Sequence, residues 1–200
     1  YNIRYQGGGN AGHTVYVNGH KLVLHHVPSG IVVPDTICML MPGMVLEPAA
    51  FFEELDAIEK VGVNIKGRLK ISGRIQITTD YHKQLDQLRE QAAGDGKIGT
   101  TGRGIGTTYA DKAQRQGLRA IDLLDEAALR AKLAHSLETK GPVIEKLGGE
   151  RPDLDALTRK LVDFGKRLAP MLADTSLELA EALARNENAL FEGAQGTMLD

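Results

Sequence analysis

Three short glycine-rich windows hold most of the residues whose types and spacing could do chemistry. The first reads Gln6-Gly-Gly-Gly-Asn10-Ala11-Gly12-His13-Thr14. Its glycines leave backbone N–H and C=O groups uncovered, a composition suited to cradling an anion. His13 is the side chain there that exchanges a proton near neutrality, and Thr14 adds a hydroxyl. A lone histidine is usually a hydrogen-bonded structural residue, but one that ends a glycine-rich turn after a strand is placed to act on a bound anion. The second window, Lys97-Ile98-Gly-Thr100-Thr101-Gly-Arg103-Gly-Ile-Gly106, joins two hydroxyls and two cations in a pliable backbone, which suits phosphate oxygens. No Gly-Lys-Ser/Thr follows at the Walker spacing, and Gly102-x-Gly104-x-Gly106 has neither the spacing nor the leading strand of a dinucleotide fingerprint. The third window, Phe191-Glu-Gly-Ala-Gln195-Gly-Thr197, sets an amide that donates and accepts at a strand end, where it suits a purine edge.

Other reactive side chains carry less. His20, His25, His26, His82 and His135 show no metal-ligand spacing with one another or with Cys38, and read as structural or surface residues. Cys38 lies in an apolar run and reads as a small core residue. Lys112, Arg115 and Arg119 follow the second window on a helix and, by pattern alone, form a solvated cationic face.

The composition narrows the function classes. Of 23 glycines in 200 residues, twelve fall in the three windows once the second is extended back to Gly94 and Gly96, so the excess over the usual ~7% belongs to loops. With 42% hydrophobic and 25% charged residues the chain is not disordered, and its length suits one domain, or one with an added subdomain. A net charge of -2 gives no bulk attraction to nucleic acid or an anionic membrane. No apolar run approaches the ~20 residues of a membrane span. A single cysteine forms no internal disulfide and fits a reducing compartment, the cytoplasm. The start at Tyr1, without Met or a signal-type apolar segment, is expected of a chain with residues lost upstream.

Elements must hold these windows in place. Thr14–Val17 and Lys21–Leu24 flank Asn18-Gly19, the strongest short hairpin signal. Strands are expected over 2–5, 37–41, 68–71, 75–78 and 189–192. Helices are expected over 48–61, 80–93, 108–116 and 125–137, and over 153–185 with an interruption at Pro170. In that last segment Leu154, Leu157, Leu161, Phe164, Leu168 and Leu172 form an apolar stripe. The reading is an α/β fold with a central mixed β-sheet, surrounding helices and a helical subdomain. Residues 1–106 are strand- and hairpin-rich, 107–188 are mainly helical, and 189–200 form a return strand and loop.

Taken together, the three windows, Pro28-Ser29-Gly30-Ile31 and Tyr109-x-Asp111-Lys112-x-x-Arg115 occur in the order found in adenylosuccinate synthetases, and the whole chain resembles that family. The resemblance implies part of a P-loop-NTPase-like synthetase fold. It implies a GTP-dependent, Mg2+-requiring ligation of IMP to L-aspartate by a homodimer. It makes His13 the catalytic acid or electrophile on the departing GDP side, and gives Gly12, His13 and Thr14 to the GTP phosphates. The Gly12 backbone carbonyl goes to Mg2+. Asn10, Ala11, Gly12, His13, Thr101 and Gln195 go to IMP, with Asn10 and Thr101 on its phosphate and Gln195 near the purine 6-position. Arg115 is the arginine that reaches a neighbour's IMP across the dimer interface.

Departures from the pattern are Gly9, where the family usually has His or Asn, and Thr107, where it usually has Pro; both are expected to alter loop flexibility more than chemistry. The family's Gln-Trp-Gly-Asp-Glu-Gly-Lys-Gly loop, with its general-base aspartate and phosphate-binding lysine, is not in the sequence. The chain is therefore expected to be an internal segment of a protein about twice as long and inactive alone. Two other readings stay open: a non-catalytic fragment that dimerises or weakly binds a nucleotide phosphate, and a related 2-aminoadenylosuccinate synthetase acting on dGMP.

Overall fold

The computed structural model describes residues 1–97 and 99–196, so Ile98 of the second window and Thr197 of the third lie outside the described residues. Along the chain the strands and helices begin with β1 (Asn2–Arg4), β2 (His13–Val17), β3 (His20–Leu24), β4 (Cys38–Leu40) and β5 (Val45–Leu46). Then come α1 (Pro48–Lys60), β6 (Leu69–Ser72), β7 (Gln76–Ile77), α2 (Asp80–Ala92) and α3 (Ile105–Ala113). The remainder are α4 (Glu126–Lys146), α5 (Leu154–Leu168), β8 (Leu172–Ala173), α6 (Thr175–Ala184) and β9 (Leu190–Glu192). They form two compact units, Tyr1–Ile75 with the segment from Pro170, and Gln76–Ala169. The division thus falls elsewhere than at residues 106 and 188, and it assigns the second glycine window to the helical unit.

The first unit is built on a five-stranded sheet in the order β8-β6-β4-β1-β9, with every pairing in it parallel. Parallel strands covered on both faces read as unbroken apolar runs, and Cys38-Met39-Leu40 is buried throughout. On one face Leu179 of α6 joins Ile3 and Met39 in a cluster. The β2–β3 hairpin pairs antiparallel, and Asn18 (φ 50°) and Gly19 (φ 78°) supply the two positive φ values of its tight primed turn. The α/β expectation holds, but the five-stranded sheet, expected to be mixed, is parallel.

Helix α1 begins where the sequence indicated. Glu47 accepts from the Ala50 N–H at 2.7 Å, Pro48 needs no N–H in the first turn, and Phe51, Leu55 and Ile58 are buried along one face.

The second unit is helical around a core that includes Tyr81, Leu85, Leu118, Leu123, Leu133, Leu157 and Leu161. Two expectations needed revision. Helix α4 does not stop near Leu137 but runs to Lys146 through Gly141 and Pro142. Packing overrides the breakers there: Ile144 is fully buried, and Arg151 donates to the Leu137 carbonyl at 3.1 Å near the turn that Pro142 disrupts. The leucine stripe from 153 to 185 is two helices, α5 and α6. Between them lie a single 3-10 turn over Ala169–Met171 and the short strand β8, so Leu172 belongs to the sheet.

Candidate functional site

Strand β1 lies between β4 and β9, and its parallel register against β9 sets Arg4 opposite Glu192. Parallel neighbours send their following loops out of the same sheet edge, where open α/β sheets bind ligands. The first and third windows are therefore side by side although they are far apart in sequence. Gln6 Nε2 donates to Gln195 Oε1 at 2.8 Å. Gly7, at φ +79°, lies against Ala194 so closely that a Cβ on it would collide with the alanine side chain. The first loop is tied down from below by Arg4, fully buried, whose Nη2 donates to the Gly8 carbonyl at 3.3 Å. His25 Nδ1 meets the Ala11 carbonyl at 2.9 Å.

His13 opens β2 on the face shared with Val15 and Val17, and turns toward the sheet. Its Nδ1 lies 2.8 Å from Glu192 Oε1. The other carboxylate oxygen, Oε2, accepts from the Ser29 N–H at 2.8 Å and the Ser29 hydroxyl at 2.6 Å. Ser29 starts a 3-10 turn whose Gly30 N–H donates to Asn2 Oδ1 of β1 at 2.6 Å. Just before it, the buried Glu54 of α1 accepts from the backbone N–H groups of His25, His26 and Val27 at 2.9–3.3 Å. Burial acts to raise the Glu54 pKa, but the His26 side chain and these N–H groups outweigh it and hold the carboxyl below its ordinary value. Thr14, the next residue of β2, is exposed on the opposite face, so His13 and Thr14 side chains do not converge. Asn10 and Gly12 are exposed, and Ala11 and Gln195 are half-buried.

The second unit carries Thr101 and Arg115. Helix α2 holds the second window through side chains on one face: Asp86 accepts from the Gly104 N–H at 2.9 Å, Glu90 from the Gly99 N–H at 2.5 Å, and Gln87 donates to the Gly102 carbonyl at 3.1 Å. Thr101 stays exposed. Gly104 (φ 75°) then caps α3, with the backbone of Lys83 only 2.8 Å from where a Cβ would sit. Thr107 donates its hydroxyl to the carbonyls of His82 and Gly104, both at 2.9 Å, and so pins the first turn of α3 instead of loosening it.

Arg115 follows the last turn of α3 at φ +61°. Its N–H donates to the Lys112 carbonyl at 3.1 Å and the next N–H, of Gln116, to Asp111 at 2.9 Å, the pattern that usually ends on glycine. Lys112, Arg115, Arg119, Lys132 and His135 line a cavity of about 380 Å³. Among the described residues, Arg115 makes no side-chain ion pair or hydrogen bond. Asp111, in the same sequence motif, faces inward to a buried cluster: His82 Nε2 lies 3.0 Å and Lys140 Nζ 3.1 Å from its Oδ2.

Sequence reasoning singled out His13 and Gln195 by residue type and loop context, and Arg115 through the family motif alone. It quoted Gln6, Ser29, Asp111 and Glu192 inside motifs without giving them a task. The missing signal was tertiary: which carboxylate meets which imidazole follows from the pairing of β1 with β9.

The adenylosuccinate synthetase family model matches residues 1–200. Adenylosuccinate synthetases of Synechococcus sp. (strain CC9311) and Sorangium cellulosum are 49% and 47% identical over 199 residues, 99% of this chain. The chain spans 45% and 47% of those relatives' lengths. The fully ligated adenylosuccinate synthetase of Plasmodium falciparum superposes with a TM-score of 0.87 at 31% identity, over 100% of this chain and 46% of that one. A cyanophage S-2L succinoaminodeoxyadenylate synthetase, bound to dGMP and dATP, shares the fold at TM-score 0.54 and 15% identity, over 97% of this chain and 43% of that one. The chain belongs to the adenylosuccinate synthetase family.

Proposed function

We propose that this chain supplies part of the active site of a GTP-dependent ligase that joins IMP to L-aspartate, releasing adenylosuccinate, GDP and phosphate. The observation that carries the reading is the β1–β9 pairing, which sets an imidazole, His13, and an amide suited to a purine edge, Gln195, at one sheet edge. The purine 6-oxygen leaves poorly, so the reaction needs it phosphorylated by GTP before the aspartate amine displaces phosphate. Phosphoryl transfer of this kind calls for positioning and charge stabilisation more than covalent help. His13 acts there by stabilising charge on the departing GDP, while Asn10, Ala11 and Gly12 line the nucleotide. Thr14 contributes to the GTP phosphates through its backbone, since its side chain faces away from His13.

Among the described residues no three His, Cys, Asp or Glu side chains gather as a metal cage. The exposed Gly12 suits a single carbonyl ligand to Mg2+, with phosphates and water completing the shell, the arrangement that ion favours. When bound, Mg2+ neutralises phosphate charge. In the second unit Thr101 and the uncommitted Arg115 are suited to phosphate oxygens, and Arg115 serves the site of a second subunit in a homodimer. A cytoplasmic setting is consistent with Cys38, whose thiol burial pushes up to about 12. Among the described residues no helix is long and apolar enough to cross a membrane.

The test is GTP- and aspartate-dependent conversion of IMP by the full-length protein and by its His13→Ala variant. The variant is expected to lose ~10²–10⁴-fold in kcat with its fold retained. Near wild-type turnover would remove His13 from the mechanism, and turnover of dGMP in place of IMP would reassign the substrate.

A further inference from the structure

We propose that Glu192, held by Ser29, is the positioning residue of His13 and fixes its imidazole in the tautomer that carries the proton on Nδ1. The activity arm of this proposal rests on the ligase reading; the tautomer itself does not.

The geometry is a chain of three groups. Glu192 Oε1 faces His13 Nδ1 at 2.8 Å, and Oε2 takes both donors of Ser29, the N–H at 2.8 Å and the hydroxyl at 2.6 Å. An ionised carboxylate only accepts, so the proton in the first contact belongs to Nδ1. That leaves Nε2 as the nitrogen that meets a ligand: a lone pair when the ring is neutral, a donor when it is protonated. A carboxylate behind the ring also balances the positive charge that develops when Nε2–H faces a phosphate. Orientation by a hydrogen-bonded carboxylate recurs wherever a histidine must present one nitrogen.

The supports of this carboxylate are themselves fixed. Glu192 is the last residue of β9, in register with Arg4 of β1. Ser29 begins a turn tied to Asn2 of β1 by the Gly30 N–H, and the residues before it are fastened to the buried Glu54. The Glu192 side chain is 10% exposed and that of His13 30%, so the pair is sheltered at its base while the ring keeps access to solvent. A strut that merely joined strand to turn would need no imidazole on its second oxygen.

The decisive variant is Glu192→Gln in the full-length protein. A glutamine oxygen can keep the two Ser29 donors, which turns its NH2 toward Nδ1 and forces the proton to Nε2. The same swap behind a catalytic histidine elsewhere preserves geometry while imposing the wrong tautomer.

Imidazole 15N–1H correlation spectra should therefore show neutral His13 protonated on Nδ1 in the wild type and on Nε2 in Glu192→Gln. The kcat should fall about 10–100-fold with KM for IMP and GTP changed by less than about threefold. Ser29→Ala, which removes the hydroxyl donor but keeps the backbone N–H on Oε2, loosens the carboxylate without removing it and should reduce kcat less and lower the Nδ1-protonated population; it carries the test if Glu192→Gln fails to fold. An unchanged tautomer in the variant that folds, or a kcat within about twofold of wild type, overturns the proposal. If the wild-type protein turns over no IMP, the ligase reading fails while the spectra still decide the role of Glu192.

Discussion

Arg115 occupies a backbone position that favours glycine. At φ +61° it closes the end of α3 with both hydrogen bonds of the glycine-type cap, yet it carries a long cationic side chain. Left-handed backbone costs an L-residue roughly 1–2 kcal/mol, and glycine recovers most of that against a larger entropy loss of ~0.5–1 kcal/mol. Arg115→Gly is therefore expected to raise stability by about 0.5–1 kcal/mol, read as a higher urea midpoint, while weakening IMP binding. A destabilised variant would mean that the guanidinium supports the fold. Residue type and loop context were enough to single out His13 and Gln195. Glu192 was not legible in the same way, because an acid at a strand end is ordinary until the neighbouring strand is known. Arg115 read as part of a solvated cationic face until the family motif placed it; its strain appears only in the backbone.

Helix α3 is anchored by its buried side. Thr79 donates its N–H to His82 Nδ1 at 3.0 Å, which leaves Nε2–H to donate to Asp111 at 3.0 Å, and Lys140 of α4 pairs with the same carboxylate. Burial, the largest influence, lowers the His82 pKa below its ordinary 6.5. For Asp111 burial acts upward, but His82 and Lys140 outweigh it and hold the carboxyl below 3.8. At each group the unfolded chain binds more protons than the folded one, so stability falls as pH falls. The first loss begins near 6.5 through His82, and a second, below about 4.5, comes through Glu54 and Asp111. Urea midpoints measured from pH 7 to 5 should decline in the wild type, and His82→Gln should lose that part of the slope. An identical slope in the variant would take His82 out of the pH response.

Elements with local signatures were readable: the Asn18-Gly19 hairpin, and α1 between Pro48 and Gly62. Those set by packing were not. Nothing local tells that α4 continues through Gly141-Pro142, or that Leu172 leaves a helical stripe to pair with Ile71. The parallel order of the sheet has no local sequence code either.

For the molecule as a whole, the chain represents 45% of the Synechococcus relative's length, and the ligase reading is a statement about the longer protein. If Arg115 completes a neighbour's site, mixing His13→Ala with Arg115→Leu subunits should restore turnover, because one of the two sites in each mixed dimer then has both groups intact. No recovery after exchange would show that each subunit uses its own Arg115. The β1–β9 pairing has a consequence of a different kind, in time. His13 and Glu192 stand 179 residues apart, and the backbone nitrogen of Tyr1 donates to the carbonyl of Asn188. A ribosome adding ~5–20 residues per second takes roughly 10–40 s between one partner and the other. Throughout that interval the first glycine loop is held by contacts synthesised earlier, among them Arg4, His25 and Val45. The central strand meanwhile keeps one edge open, and its last neighbour arrives after the entire helical unit has been synthesised.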